Sequence, residues 1–151
     1  MTSQEHTILV VDDEPANLRM FERLLRHRYR VVCATGAEKA LAILKSEKVS
    51  VLISDHRMPG MTGVELLRES IAIDANLVRM IVTGDTGTDT FLSAIKHGGA
   101  ICVIRKPWDP DELLKTIANA IEKYELTREN KKAIADLQKT IGMLNKPHKP
   151  A

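Results

Sequence analysis

Aromatic residues are scarce in this sequence: Phe, Trp and Tyr together make up 3% of its 151 residues. Surfaces that bind single-stranded nucleic acid stack the bases on aromatic side chains, so the composition argues against that function. No apolar run reaches the ~18 residues of a membrane-spanning helix, and the N-terminus lacks the apolar segment of a signal peptide. We therefore expect a soluble, cytoplasmic protein with no membrane partner and no direct nucleic-acid partner.

Cysteines and glycine-rich loops are also few. Cys33 and Cys102 lack the spacing of a redox or zinc motif, and we expect both to be small buried side chains. No glycine-rich phosphate-binding loop follows any strand-like run, which argues against a flavodoxin-like enzyme or cofactor-binding protein.

One predicted buried strand places a single carboxylate at the start of a loop. Residues 49–54 are mostly aliphatic, and they are followed by Asp55 and then by Pro59 and Gly60. Such a run is typical of a central strand in a parallel sheet. In open α/β sheets, ligands bind outside the carboxyl ends of the strands, so Asp55 is a candidate site residue.

Strand-like and helix-like segments alternate five times between residues 7 and about 124. The alternation predicts a parallel sheet with helices on both faces. The predicted strands end at residues 11, 34, 55, 82 and 104, and the predicted helices cover residues 15–27, 37–47, 64–71, 90–96 and 109 onwards.

Right-handed crossovers bring the carboxyl ends of all parallel strands to one edge of the sheet. There the sequence places Asp12, Asp13, Asp55, Thr83 and Lys106. Clustered carboxylates suit Mg²⁺, and an ammonium and a hydroxyl suit a phosphoryl group. A structural alternative for one acid is that residue 13 or 14 caps the first helix.

These motifs together resemble the receiver domain of two-component response regulators. The matching features are Asp12-Asp13, Asp55 within Asp-x-x-Met-Pro-x-Met-x-Gly, Thr83-Gly84 and Lys106-Pro107. The resemblance implies a doubly wound, five-stranded parallel sheet of flavodoxin-like order 2-1-3-4-5, here with an extended C-terminal helix.

The resemblance also implies a reaction and a metal. Asp55 would take a phosphoryl group from a sensor histidine kinase or a histidine phosphotransfer protein. Asp13, Asp55 and the Arg57 carbonyl would bind Mg²⁺, with Asp12 holding a metal-bound water, and Lys106 would pair with the phosphoryl oxygens. The protein would catalyse only its own phosphorylation and dephosphorylation.

Further positions concern switching and phosphoryl lifetime. The resemblance implies a hydrogen bond from Thr83 to the phosphoryl group and a cis bond before Pro107. Receivers usually carry an aromatic residue where this sequence has Val103, so the aromatic half of their conformational switch is missing here. As a hypothesis, Arg57 and Asp85 approach each other and tune hydrolysis; the alternative is that both are solvated loop residues.

The remaining chain leaves several alternatives open. We expect a receiver over residues 1–124 and a helical linker or coiled-coil extension over residues 125–151, disordered from Lys146. Trp108 is expected to be a partly exposed anchor near the last helix. Two apolar stripes lie along the C-terminal helix. The first, which should pack on the sheet, consists of Leu114, Ile117, Ile121 and Tyr124. The second consists of Ile134, Leu137, Ile141 and Leu144.

The second stripe favours a homodimeric coiled coil over a helix that folds back on the domain. An output domain would be missing from this chain, or a separate effector protein would take its place. The functional alternative to a phosphorylated switch is a degenerate receiver that acts as a dimerisation module.

Overall fold

The protein was analysed as a computed structural model, which describes residues 6–84 and 88–144. Five β-strands alternate with five α-helices in these two ranges. The strands are β1 (Thr7–Val11), β2 (Arg30–Ala34), β3 (Val51–Asp55), β4 (Val78–Thr83) and β5 (Ala100–Arg105), and the helices are α1 (Pro15–Leu25), α2 (Ala37–Ser46), α3 (Gly63–Ile73), α4 (Thr88–Lys96) and α5 (Pro110–Leu144).

All strand pairs in the sheet are parallel, in the order β2-β1-β3-β4-β5. This is the doubly wound, flavodoxin-like order that the sequence analysis predicts. Successive side chains of a strand point to opposite faces. In β1, Ile8 and Val10 join the core under α1 and α5, whereas Leu9 and Val11 join the core under α2 and α3.

Local sequence explains where two helices begin. α1 has Pro15 in its first turn, where the missing N–H costs no hydrogen bond. α3 begins with a capping box, in which the Thr62 side chain accepts a hydrogen bond from the Glu65 N–H and the Glu65 side chain accepts one from the Thr62 N–H. Gly63 follows directly, and a Cβ there would lie 2.3 Å from the Asp55 carbonyl oxygen. Only glycine lets α3 start so close to the end of β3.

The predicted element ends need small corrections. α1 stops at Leu25 rather than His27, because Leu25 is fully buried and its carbonyl accepts the Tyr29 N–H at 3.0 Å as the chain turns toward β2. Cys33 and Cys102 are free thiols that pack against the core, yet they are only half-buried rather than buried. Burial raises the pKa of both thiols.

One continuous helix of 35 residues, α5, joins the sheet to the C-terminal extension. Its first half packs on the core through Leu113, Ile117, Ile121 and Tyr124. The helix continues without a break to Leu144, and every residue from 128 to 144 is exposed. The alternative of a helix that folds back on the domain is therefore wrong. The boundary predicted after Tyr124 lies inside this helix, and the tail from Lys146 lies outside the described residues. Among the described helices, none has the length and apolar character needed to cross a membrane.

Candidate functional site

Two neighbouring strands bring the acidic residues together. β1 pairs with β3 so that Val11 lies opposite Ser54; Asp12 and Asp13 follow the first strand, and Asp55 ends the second. Carboxylate oxygens of the three acids lie within 4.8 Å of one another. The predicted acidic cluster at the carboxyl edge of the sheet is therefore formed.

The Asp12 carboxylate is held by two hydrogen bonds. Its Oδ1 accepts the Glu14 backbone N–H at 2.9 Å, and its Oδ2 accepts Asn17 Nδ2 at 3.1 Å. The Asp12 residue is only 3% exposed, and this burial raises the pKa of its carboxyl, as the nearby Asp55 charge also does, while the bond from Glu14 opposes the rise. The cluster thus carries a negative charge in a place where burial disfavours it.

This arrangement also corrects the capping expectation. Glu14 is the N-cap residue of α1, but its side chain makes no capping bond, and the first-turn contact comes from Asp12 instead. Asn17 lies in the first turn of α1 and additionally donates to Glu14 Oε2 at 3.2 Å. The sequence analysis missed Asn17 as a site residue, although its place one helical turn after the acidic pair could have indicated it.

Lys106 completes the charged part of the site. Its Nζ lies 2.7 Å from Asp55 Oδ1, and the Asp55 side chain is 9% exposed. The Lys106 N–H donates to the Thr83 carbonyl at 2.9 Å, which brings the end of β5 beside the end of β4. Thr83 itself is buried. The four strand ends therefore converge as the sequence motifs predict.

An open cavity of about 310 Å³ lies above these groups, lined by Asp55, Arg57, Thr83, Gly84 and Lys106. Arg57 is exposed on its wall. Asp85 lies outside the described residues, so the suggested approach of Arg57 to Asp85 stays a hypothesis.

A second, more apolar groove of about 460 Å³ borders the acids on the other side of Lys106. The Lys106–Pro107 peptide bond is cis, the isomer that the resemblance implies. The Trp108 ring lies 5.1 Å from the Phe21 ring, tilted by 40°. Trp108 is thus the half-buried anchor that the sequence analysis predicts, two residues before α5. The contact of its ring with Phe21 of α1 was not predicted.

The described residues fit a magnesium ion. Mg²⁺ prefers oxygen ligands and usually takes one or two carboxylates while keeping several waters. Asp12, Asp13 and Asp55 offer such oxygens within one small volume. A divalent cation would also offset the charge that burial of Asp12 disfavours, because Lys106 pairs with Asp55 rather than with Asp12.

Comparison with known proteins agrees with this geometry. Residues 8–118 match the family model of the response regulator receiver domain. The chain belongs to the response regulator receiver family. It is therefore a receiver domain of the two-component type, with an acidic pocket at the carboxyl edge of its sheet.

Individual relatives cover most of the receiver. The hydrogenase transcriptional regulatory protein HoxA of Cupriavidus necator is 37% identical over 122 residues, which are 81% of this chain and 25% of HoxA. HoxA of Bradyrhizobium diazoefficiens is 34% identical over 144 residues, which are 95% of this chain and 30% of that protein. The chain therefore spans less than a third of the length of these relatives.

Solved receiver structures have the same fold. The signal receiver domain of an HD domain-containing protein from Pseudomonas fluorescens superposes with a TM-score of 0.79 at 32% identity, over 82% of this chain and 92% of that chain. A CheY-like response regulator receiver domain from Methanospirillum hungatei gives a TM-score of 0.77 at 28% identity, over 81% and 98%.

Proposed function

We propose that this receiver takes a phosphoryl group from a sensor histidine kinase or a histidine phosphotransfer protein onto Asp55. The observation that supports this most directly is the position of the Asp55 carboxylate, between the other two acids and the Lys106 ammonium. An Asp55 oxygen attacks the phosphorus of the phosphohistidine. The new P–O bond forms an acyl phosphate, and the P–N bond breaks with its electron pair returning to the imidazole of the donor.

Each neighbouring group has a role in this proposal. Lys106 exchanges its ion pair with Asp55 for contacts with the phosphoryl oxygens, which carry more charge than the free carboxylate. Thr83 donates a hydroxyl hydrogen bond to the same oxygens. Asp12, Asp13, Asp55 and the Arg57 carbonyl would hold Mg²⁺, directly or through water, and the ion supplies positive charge that offsets the charge on the transferred group.

The size of the conformational response depends on these contacts. A change from about 1% to 99% active needs roughly 5.5 kcal/mol of differential stabilisation. A hydrogen bond from one hydroxyl to a charged partner contributes only ~1.5–3 kcal/mol, so Lys106 and the metal must supply the rest. Val103 is half-buried and packs against the core with α2 and α3, and it offers no ring that could follow Thr83. We expect a switch that does not depend on an aromatic residue at this position.

The wider biological setting belongs to the same proposal. The receiver acts in the cytoplasm, forms a homodimer through its C-terminal helix, and controls an output domain outside this chain or a separate effector. It catalyses no reaction beyond its own phosphorylation and dephosphorylation. The HoxA relatives are named as transcriptional regulators, which is consistent with a receiver that controls an attached output.

Acetyl phosphate with Mg²⁺ provides the test. We expect intact-mass analysis to show one added phosphoryl group on the wild-type protein and none on Asp55→Asn. Asp136→Asn is a matched control, because Asp136 is an exposed carboxylate far along α5 and should not affect labelling. An adduct that persists in Asp55→Asn would place the acceptor elsewhere. No adduct on the wild-type protein at any donor concentration would favour the alternative, a degenerate receiver that acts as a dimerisation module.

A further inference from the structure

The part of α5 that extends beyond the receiver, residues 125–144, exposes a row of large aliphatic side chains. We call these residues the extension. The exposed fractions are 55% for Ile134, 60% for Leu137, 46% for Ile141 and 78% for Leu144. Their spacing of three, four and three residues places them along one side of the helix. Such an uninterrupted apolar row on a projecting helix is a surface suited to a partner.

The identity of the side chains indicates the kind of partner. With Ile134 at heptad position a, Leu137 falls at d, Ile141 at the next a and Leu144 at the next d. β-branched residues at a combined with leucine at d favour parallel, two-stranded coiled coils. The row therefore matches the seam of a helix pair more closely than the broad apolar face of a globular helix.

The charges of the extension are compatible with an identical partner helix. The positions that flank the seam between Ile134 and Leu144 carry Gln138 and Thr140, and Ala133 precedes it. Charged residues lie away from the seam, as in Asp136 at c and Lys139 at f. Two copies can therefore approach without like charges meeting across the seam, and no flanking charge selects a different, oppositely charged helix.

Contacts with the receiver fix where the free part of the helix begins. His6 Nε2 lies 2.6 Å from Glu125 Oε1, and His6 Nδ1 lies 3.0 Å from Ser50 Oγ. Six residues further on, Lys131 Nζ contacts Asn76 Oδ1 in the loop between α3 and β4. The helix thus leaves the domain in a defined direction, and the apolar row starts directly beyond the last of these contacts.

The row does not continue onto the receiver part of α5. Eleven residues make about three helical turns, so the exposed Lys123 is in line with Ile134. The two seam positions between them in the heptad pattern are also polar: Thr127 at a and Asn130 at d. A helix partner is therefore held by the extension alone, over about two heptads, and we expect its association to depend on protein concentration.

We propose that two copies of this chain pair through their extensions as a parallel, in-register coiled coil. Ile134, Leu137, Ile141 and Leu144 of one copy then face the same residues of the other copy, and the two receivers lie at the same end of the pair. This proposal rests on the homodimer of the proposed function and adds its surface, orientation and register.

Disulfide trapping in the full-length protein tests the orientation. We would introduce Ile134→Cys and Leu144→Cys singly, with Lys139→Cys as the control because Lys139 points away from the seam. In a parallel pair both seam variants form a disulfide-linked dimer under mild oxidation, whereas the control and the wild-type protein do not. In an antiparallel pair, identical residues meet only near the midpoint, so at most one of the two variants would be trapped. That result, or equal trapping of the control, would overturn the parallel register.

Sedimentation tests the helix pairing separately from the phosphorylation of Asp55. We expect the wild-type protein to dimerise as its concentration rises, Leu137→Asp to dimerise at least tenfold more weakly, and Asp136→Asn to behave as the wild type. A wild-type protein that stays monomeric at every concentration would overturn both the pairing and the homodimer. Labelling of Asp55 is measured on the same samples, and its failure would refute phosphoacceptance without bearing on the helix pair.

Discussion

Replacing Asp12 by Asn should make the metal-free protein more stable. The carboxylates of Asp12 and Asp55 lie within 4.8 Å, and two unit charges at that distance repel by about 3.5 kcal/mol at an effective dielectric constant of about 20. Lys106, 2.7 Å from Asp55, offsets much of this repulsion. The Asn side chain can still accept the Glu14 N–H, and the Asn17 amide can rotate to accept its new N–H group. We expect a net gain of about 1 kcal/mol, or about 2–4 °C in Tm.

The pH dependence of this difference follows from the pKa of Asp12, which burial raises above its ordinary value. The folded protein therefore holds the Asp12 proton more tightly than the unfolded chain does. This stabilising contribution is fully present below the unfolded pKa and is lost as the pH rises through the folded pKa. The advantage of Asp12→Asn over the wild type should be small in acid, increase as the pH rises above the ordinary Asp pKa, and level off once the pH has passed the raised pKa of folded Asp12.

Thermal unfolding with and without Mg²⁺ is the assay. A ligand at one hundred times its Kd stabilises the folded state by about 2.7 kcal/mol, and we expect the wild type to gain more from Mg²⁺ than the variant does. Asp136→Asn removes an exposed carboxylate elsewhere on α5 and should change neither value. A metal-free Asp12→Asn protein that melts below the wild type, or that gains equally from Mg²⁺, would refute this account of the cluster.

Four further substitutions test other parts of the structure. Asn17→Ala removes a hydrogen bond to Asp12 and should weaken Mg²⁺ binding by roughly tenfold, measured by titration of Trp108 fluorescence, because a hydrogen bond to a charged group contributes ~1.5–3 kcal/mol. Gly63→Ala should lower the free energy of unfolding in urea by about 1–3 kcal/mol, since its Cβ would overlap the Asp55 carbonyl. Thr62→Ala should cost about 1 kcal/mol in the same assay by removing the α3 cap. Arg79→Met should cost about 1–3 kcal/mol, because buried Arg79 donates to Ser70 Oγ and to the Leu77 carbonyl. An unchanged urea midpoint for the variant at position 62, 63 or 79 would contradict the structural reason given for that variant.

The fold and most of the acidic site could be predicted because each depends on a short local pattern. Runs such as residues 51–53 are buried on both faces of a parallel sheet and are therefore aliphatic throughout. The residue that follows each run lies at the carboxyl edge by topology alone. This is why the sequence alone predicts that Asp12, Asp55 and Lys106 lie together.

Contacts between distant elements could not be predicted in the same way. The packing of Trp108 on Phe21 depends on how α1 and the loop before α5 approach each other, and no sequence period encodes that angle. The burial of Arg79 is similar: an arginine in a strand reads as an edge residue, yet its guanidinium donates to carbonyls on both sides of the α3–β4 loop.

A continuous helix, and not a flexible linker, connects the receiver to its extension. Tyr124 of α5 is buried in the core. The next residue, Glu125, is paired with His6, which directly precedes β1. A flexible linker of the same length would average over many directions, whereas a continuous helix preserves the direction set by its first turns. A displacement of α5 on the sheet must therefore move the whole extension with it. In a pair of chains whose helices meet beyond Lys131, the relative position of the two helices would then change with the conformation of the receivers. No contact between the helices and the phosphorylation site would be needed.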